Sequence, residues 1–259
     1  SSGRNTLMHY DAPLVGGRLI KRYKRFLADI VLDSGEEITA HCPNTGSMKH
    51  CAEPGSRVWL WDSLPSGAAA KRKYRYSWEW VEVAGRYKAC INTARPNQLV
   101  AEALAAGRIA ELAGDYQILP EPKVEDGRLD FLLQPQQPQE PAVYVEVKSV
   151  TLLDYPQPDQ PQASDGWGSF PDAVTARGLK HLRRLAELRQ QGYRTLLLFC
   201  VPHEGIKRVR PARVIDPAYA AALAEVVAQG VEVLAYQAQF YADASGLELG
   251  QCLPVDIAG

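Results

Sequence analysis

No stretch of this sequence stays apolar for the roughly 20 residues that a membrane-crossing helix needs. A helical membrane span is therefore excluded, and no membrane partner is expected. The segment after Met8 is polar and is not a secretory signal; residues 1–5 (SSGRN) read as an added leader, with Met8 the natural start. Cysteine is sparse and odd in number, at Cys42, Cys51, Cys90, Cys200 and Cys252. Cys90 and Cys200 lie in apolar strand-like runs, where a reduced thiol acts as a small hydrophobe. That scatter argues against a disulfide framework and for a reducing cytoplasm. His41-Cys42 and His50-Cys51 lack the pair spacing of a zinc site. Ser47 lacks both a strand-to-helix elbow and an evident base, which argues against a serine nucleophile. There is no internal repeat. What remains is an ordinary soluble composition, 46% apolar and 23% charged over 259 residues. That length suffices for two modest domains.

The net charge of −1 conceals a split. Through Lys88 there are fourteen Lys and Arg against nine Asp and Glu, a balance of +5, and the remainder carries −6. A basic first part suits a polyanionic partner. Residues 14–83 read as short strands separated by turns, with no helical period, which predicts a small OB-like β-barrel over residues 8–88. After residue 93 the pattern changes. Asn97 is expected to cap a helix over 98–106, closed by Gly107. Three strands, a helix over 173–191, an apolar strand at 194–201, a helix after Asp216-Pro217 and a strand at 231–236 follow. That order predicts a mixed α/β sheet over residues 89–259, so the chain as a whole is α+β with two domains. Residues 134–141 and 154–168 read as proline-rich loops.

Two of the predicted strands carry the chemistry, RLDFLL at 128–133 and VYVEVK at 143–148. Alternation puts Glu146 and Lys148 on one strand face, with Val145 and Val147 on the other. If the two strands pair, Asp130 joins them. Carboxylates of this kind hold a hard divalent cation through oxygen. The cation polarises a phosphodiester and activates water, while a lysine orients that water or offsets charge. An isolated Glu-x-Lys is more often a surface ion pair. Here the strands are otherwise apolar, and burying unpaired charges costs several kcal/mol. Glu102 lies on or beside an apolar helix face and is read as a further metal ligand; the bland alternative is a helix-surface acid. Arg177, Lys180 and Arg184 recur at helical spacing, with His181 beside them, either as a solvated face or as phosphate contacts. Lys21, Arg22, Lys24 and Arg25 alternate with Tyr23 and Phe26, and Lys71, Arg72 and Lys73 precede Tyr74. Cations track a phosphate backbone and aromatic rings stack on bases, so these two segments are expected to bind nucleic acid.

Taken together these residues resemble the bacterial sugar fermentation stimulation protein A family. The resemblance runs over nearly the whole chain from Leu14. It is carried most specifically by LIKRYKRFLAD (19–29), AHCPNTGSM (40–48), YVEVKSVTL (144–152), FPDAVTARGLKHL (170–182) and PARVIDPAY (211–219). It implies an N-terminal OB-like domain, a C-terminal domain of the PD-(D/E)XK nuclease type, non-specific DNA binding and a regulatory role in sugar (maltose) metabolism. Asp130, Glu146 and Lys148 occupy the nuclease motif, and Glu102 fits its helix acid. Nuclease activity follows from the motif type, not from the family name.

The expectation is thus a cytoplasmic DNA-binding protein with a Mg²⁺- or Mn²⁺-dependent nuclease site. Glu102, Asp130 and Glu146 would hold the metal, and Asp130, Glu146 and Lys148 would be catalytic. The alternative is a non-catalytic DNA-binding regulator on a retired nuclease fold. A homodimer is the other expected partnership.

Overall fold

A computed structural model describes residues 8–154 and 165–258. Residues 1–7, which include the segment expected to be an added leader, residues 155–164 of the second proline-rich loop, and Gly259 lie outside the described residues. Six strands come first: β1 (Val15–Tyr23), β2 (Leu27–Leu32), β3 (Glu37–His41), β4 (Arg57–Asp62), β5 (Tyr76–Val83) and β6 (Tyr87–Cys90). Strand β1 pairs with β2 and β4, β2 with β3, β4 with β5, and β3 closes on β5 through His41 and Ser77. The circuit β1-β2-β3-β5-β4 is a closed five-stranded, OB-like barrel, with β6 added along β5. Period-two alternation builds its interior. Gly17 and Leu19 point inward, while Arg18 and Ile20 point outward. Leu19, Ile30, Val58, Leu60 and Trp78 fill the barrel. Gly17 is required there, since a Cβ would meet Ile30 Cγ2 and the Val31 carbonyl at 2.8 Å.

The second domain contains α1 (Arg95–Ala105), β7 (Tyr116–Pro120), β8 (Lys123–Val124), β9 (Gly127–Arg128), β10 (Phe131–Pro135), β11 (Val143–Ser149), β12 (Leu152–Leu153) and β13 (Trp167–Phe170). It continues with α2 (Ala176–Gln190), β14 (Arg194–Val201), β15 (Arg208–Pro211), α3 (Pro217–Ala228), β16 (Glu232–Phe240) and β17 (Leu247–Leu253). The main sheet runs β17-β16-β14-β11-β10-β7. Its centre, β11-β14-β16, is parallel, with α2 and α3 as the crossovers, and its flanks are antiparallel. Strand β14 is buried almost end to end, as a central parallel strand requires. Strands β12, β13 and β15 form a small side sheet, and β8 and β9 form a hairpin. Neither had a pattern strong enough to read in advance, and Trp167 and Gly168 prove to be strand rather than loop.

Helix starts follow local chemistry. Thr175 Oγ1 accepts the Gly178 N–H, and Asp216 accepts the Tyr219 N–H, so both residues cap the helices that follow them. The expected cap at Asn97 is a correction. Asn97 lies inside α1, and Asn92 leads the chain into the helix by accepting the Ala94 N–H. Pro96, in the first turn, needs no N–H partner there.

The two faces of the main sheet carry different cores. Val145, Val147, Leu196 and Leu198 pack with α1, whereas Leu197 and Phe199 pack with α2 and α3. Met8 and Leu14, which precede the barrel, belong to the α1-side core. Trp80 of the barrel joins that core edge-on against Phe240 at 4.9 Å. Apolar burial of this kind contributes about 1.5–3 kcal/mol for each large side chain.

Candidate functional site

Strand β10 begins at Phe131, opposite Val145, so β11 runs on past it with the edge that faces β10 left without a strand partner. The Asp130 side chain fills that gap. Its Oδ2 accepts the Val147 N–H at 2.7 Å, and its Oδ1 accepts from Asn97 Nδ2 of α1 at 2.8 Å. This anchoring holds Asp130 against Glu146, with which it hydrogen-bonds. Glu146 is 2% exposed and faces the α2 side of the sheet. Its Oε2 lies 2.5 Å from His181 Nδ1 and 3.1 Å from Lys148 Nζ, and Lys148 Nζ lies 2.8 Å from the same ring nitrogen. With Nδ1 protonated, Oε2 accepts from both His181 and Lys148.

Burial raises the Asp130 carboxyl to about 7, helped by the hydrogen bond and charge of Glu146. For Glu146 burial also acts upward. The hydrogen bonds of His181 and Asp130 and the Lys148 charge outweigh it, so Glu146 is held down at about 2. Between those two values the pair therefore carries one charge and one proton. Two adjacent carboxyls, one buried and one half-buried and reluctant to ionise, suit a small hard cation in place of the proton. The site is thus chemically fit for a hard divalent cation, with two protein carboxylates and the remaining positions left to water or phosphate.

Asp130, Glu146 and Lys148 come together. Glu102 does not, which corrects its place among the three carboxylates. It lies on α1, which covers the opposite face of the sheet from Glu146. Its Oε1 accepts from Arg108 Nη2 at 3.0 Å, beside β17, three strands away from β11. Among the described residues, no three His, Cys, Asp or Glu side chains form a metal-holding group.

The basic residues divide. Arg177 is exposed, and Lys180 is half exposed with Asp126 at 3.9 Å. Arg184 is buried instead, paired with Glu125, Asp126 and Glu187, and it ties α2 to the turn of the β8–β9 hairpin. It has no free face for phosphate. On the barrel, Lys21, Lys24, Lys71 and Lys73 are exposed, with Lys21 over Tyr23 and Lys73 over Tyr74. Arg22 donates to the carbonyls of Arg25, Asn44 and Gly46, and Arg25 donates to that of Thr45. These two arginines hold the 43–51 loop. Arg72 covers Trp61 and donates to Ser77 Oγ at 2.7 Å.

His181 and Asn97 are site residues that the sequence reading missed. His181 shares the buried face of α2 with Gly178, Leu182 and Leu185. A polar residue on an apolar face was the available signal; grouping it with Lys180 and Arg184 obscured it. Tyr219 also reaches this region. Its hydroxyl is buried with no partner among the described residues. Burial and the Glu146 charge both raise its pKa.

Comparison with known proteins agrees with this two-domain fold. Residues 20–91 match the family model for the SfsA N-terminal OB domain, and residues 94–244 match that for the sugar fermentation stimulation protein RE domain. The chain belongs to the sugar fermentation stimulation protein family. It is 48% identical to a sugar fermentation stimulation protein homolog of Marinomonas sp. over 254 residues, 96% of this chain and 90% of that one. A homolog from Pseudomonas aeruginosa is also 48% identical, over 251 residues, 96% of this chain and 99% of that one. Among solved structures, Pyrococcus furiosus SfsA in complex with Ca²⁺ superposes with a TM-score of 0.80 at 24% identity, covering 96% of this chain and 98% of that one. That likeness establishes the shared two-domain fold. No helix among the described residues is long and apolar enough to cross a membrane.

Proposed function

We propose that this chain is a divalent-metal-dependent phosphodiesterase acting on DNA that it binds without sequence preference. The observation that carries the reading is the buried contact of Asp130 with Glu146, flanked by Lys148 and His181. Asp130 and Glu146 would hold Mg²⁺ or Mn²⁺, which when bound polarises a phosphate oxygen and lowers the pKa of bound water. Asp130 must lose its proton for that set to form. Lys148 has three donors, and those not spent on Glu146 can orient the attacking water or meet developing charge. The Ca²⁺ carried by the Pyrococcus furiosus structure is likewise an oxygen-preferring ion.

In this reading residues 8–88 hold the strand and residues 89–259 carry the chemistry. Lys21, Lys24, Lys71 and Lys73 track the backbone, with Tyr23 and Tyr74 as stacking faces. Arg177 and Lys180 anchor phosphate beside the site. The test is incubation of single- and double-stranded DNA with purified protein and Mn²⁺. Cleavage is expected from the wild type and not from Glu146→Ala or Lys148→Ala. Cleavage that persists in both variants removes the site assignment. Salt-sensitive binding with no cleavage at all identifies a non-catalytic DNA-binding regulator instead.

A further inference from the structure

A cavity of about 210 Å³ opens beside this site, between the 43–51 loop of the barrel and the second domain. It begins at Ser149, directly after Lys148 at the carboxyl end of β11, which is where open α/β sheets place their ligands. Its walls are fixed across the domain junction. Asn44 Nδ2 donates to the Ile91 carbonyl at 2.8 Å, and Thr93 Oγ1 donates to the Pro43 carbonyl at 3.1 Å. Phe170 supplies an aromatic surface, and its ring is itself braced by Tyr219 and Phe199.

The lining selects against phosphate. It mixes apolar surface with neutral polar groups, it contains no lysine or arginine, and its one carboxylate, Asp172, would repel an anion. The hydroxyls of Ser149 and Thr151 make no hydrogen bond to any described residue, so they remain open to a ligand. Neutral donors and acceptors, an aromatic wall and an acceptor carboxylate suit the edge and face of a nucleobase. The volume falls below the roughly 300–1,000 Å³ of drug-sized ligand sites, so it suits one base rather than a stacked pair. A base inside a duplex cannot enter without leaving its stack.

We propose that this cavity seats one unstacked nucleobase of the strand whose phosphate lies at Glu146 and Lys148. This rests on the function proposed above and deepens it, naming single-stranded or frayed DNA as the substrate class. The test is fluorescence anisotropy in EDTA, so that binding is read without turnover. The probes are a short single-stranded oligonucleotide, the same strand with one abasic position moved along it, and a blunt duplex. Removing the base at one position should weaken binding about tenfold, a size typical of losing a seated base, and the duplex should bind more weakly than the intact strand. Ser149→Ala/Thr151→Val should weaken the intact strand and lose discrimination against the abasic one. Its salt dependence should not change, because no phosphate contact is lost. Equal affinity for intact and abasic strands at every position overturns the proposal whether or not the variant folds. Abasic discrimination that is lost in Ser149→Ala/Thr151→Val, without Mn²⁺-dependent cleavage by the wild type, leaves the cavity assignment standing and removes the catalytic reading; discrimination unchanged in that variant overturns the cavity assignment. Cleavage without discrimination does the reverse.

Discussion

Glu79 and Glu146 are both buried carboxylates beside a cation, and they are built to opposite ends. Glu79 lies at the junction of the domains, where its Oε1 accepts from Arg95 Nε and from the Tyr10 hydroxyl, each at 2.8 Å. Its Oε2 accepts from Asn92 Nδ2 at 2.6 Å. One charge meets one countercharge, and both oxygens are satisfied by groups from the N-terminal segment, the connection between β6 and α1, and α1 itself. Glu146 also has a cation, but a second carboxyl lies against it, and burial, reinforced by the hydrogen bond and charge of Glu146, keeps the proton on Asp130 to about 7. A buried acid whose bonding is complete joins parts of a fold. A buried acid crowded by another is a place where a cation can do what a proton does in its absence.

The largest effect separates these roles through Arg95. Arg95→Met leaves Glu79 buried without its countercharge and should cost about 3–5 kcal/mol, read by urea unfolding. A loss below about 1 kcal/mol would show that the junction network is not the structural tie described. Asp130→Asn should act in the other direction in metal-free protein. The folded protein keeps the Asp130 proton to about 7, against an ordinary value of 3.8. Between those values the unfolded chain binds fewer protons, so the contribution of Asp130 is present below pH 3.8 and is lost as pH rises through 7. Asparagine removes that dependence. With EDTA present, Asp130→Asn should be more stable than wild type at pH 8, by on the order of 2 kcal/mol, and no more stable at pH 4. Parallel stability curves for the two proteins would contradict the raised pKa.

These residues also mark what the sequence could reveal. Glu146 and Lys148 share a face because a strand has a period of two, and that is legible in six residues. Strand β3 and the Asp216 cap of α3 are equally local. Which face of the sheet α1 covers is not written in the pattern of α1. Glu102 was therefore set beside Glu146, although its partner is Arg108 at the far edge of the sheet. Arg184 looked like part of a cationic stripe because its partners, Glu125 and Asp126, sit in a hairpin nearly sixty residues earlier. Asn97 looked like a cap because its bond to Asp130 depends on how α1 docks.

A smaller pair of changes sharpens the same contrast. The Tyr10 hydroxyl donates to Glu79, whereas the Tyr219 hydroxyl is buried without a partner among the described residues. Tyr10→Phe should cost about 1.5–3 kcal/mol, the range for a hydrogen bond to a charged group. Tyr219→Phe should leave the metal-free protein as stable as wild type or about 1 kcal/mol more stable, because it removes an unsatisfied polar atom. Equal losses in the two variants, measured by thermal unfolding, would erase the distinction between the regions.

The most direct test is calorimetric titration of Mn²⁺ into metal-free protein near neutral pH, repeated in two buffers of different ionisation enthalpy. Binding at Asp130 and Glu146 should displace the Asp130 proton, so the apparent enthalpy should differ between the buffers. Asp130→Asn and Glu146→Ala should abolish or strongly weaken binding, while Glu102→Gln should leave it intact. Binding that survives in both Asp130→Asn and Glu146→Ala, or that is lost in Glu102→Gln alone, would contradict the site.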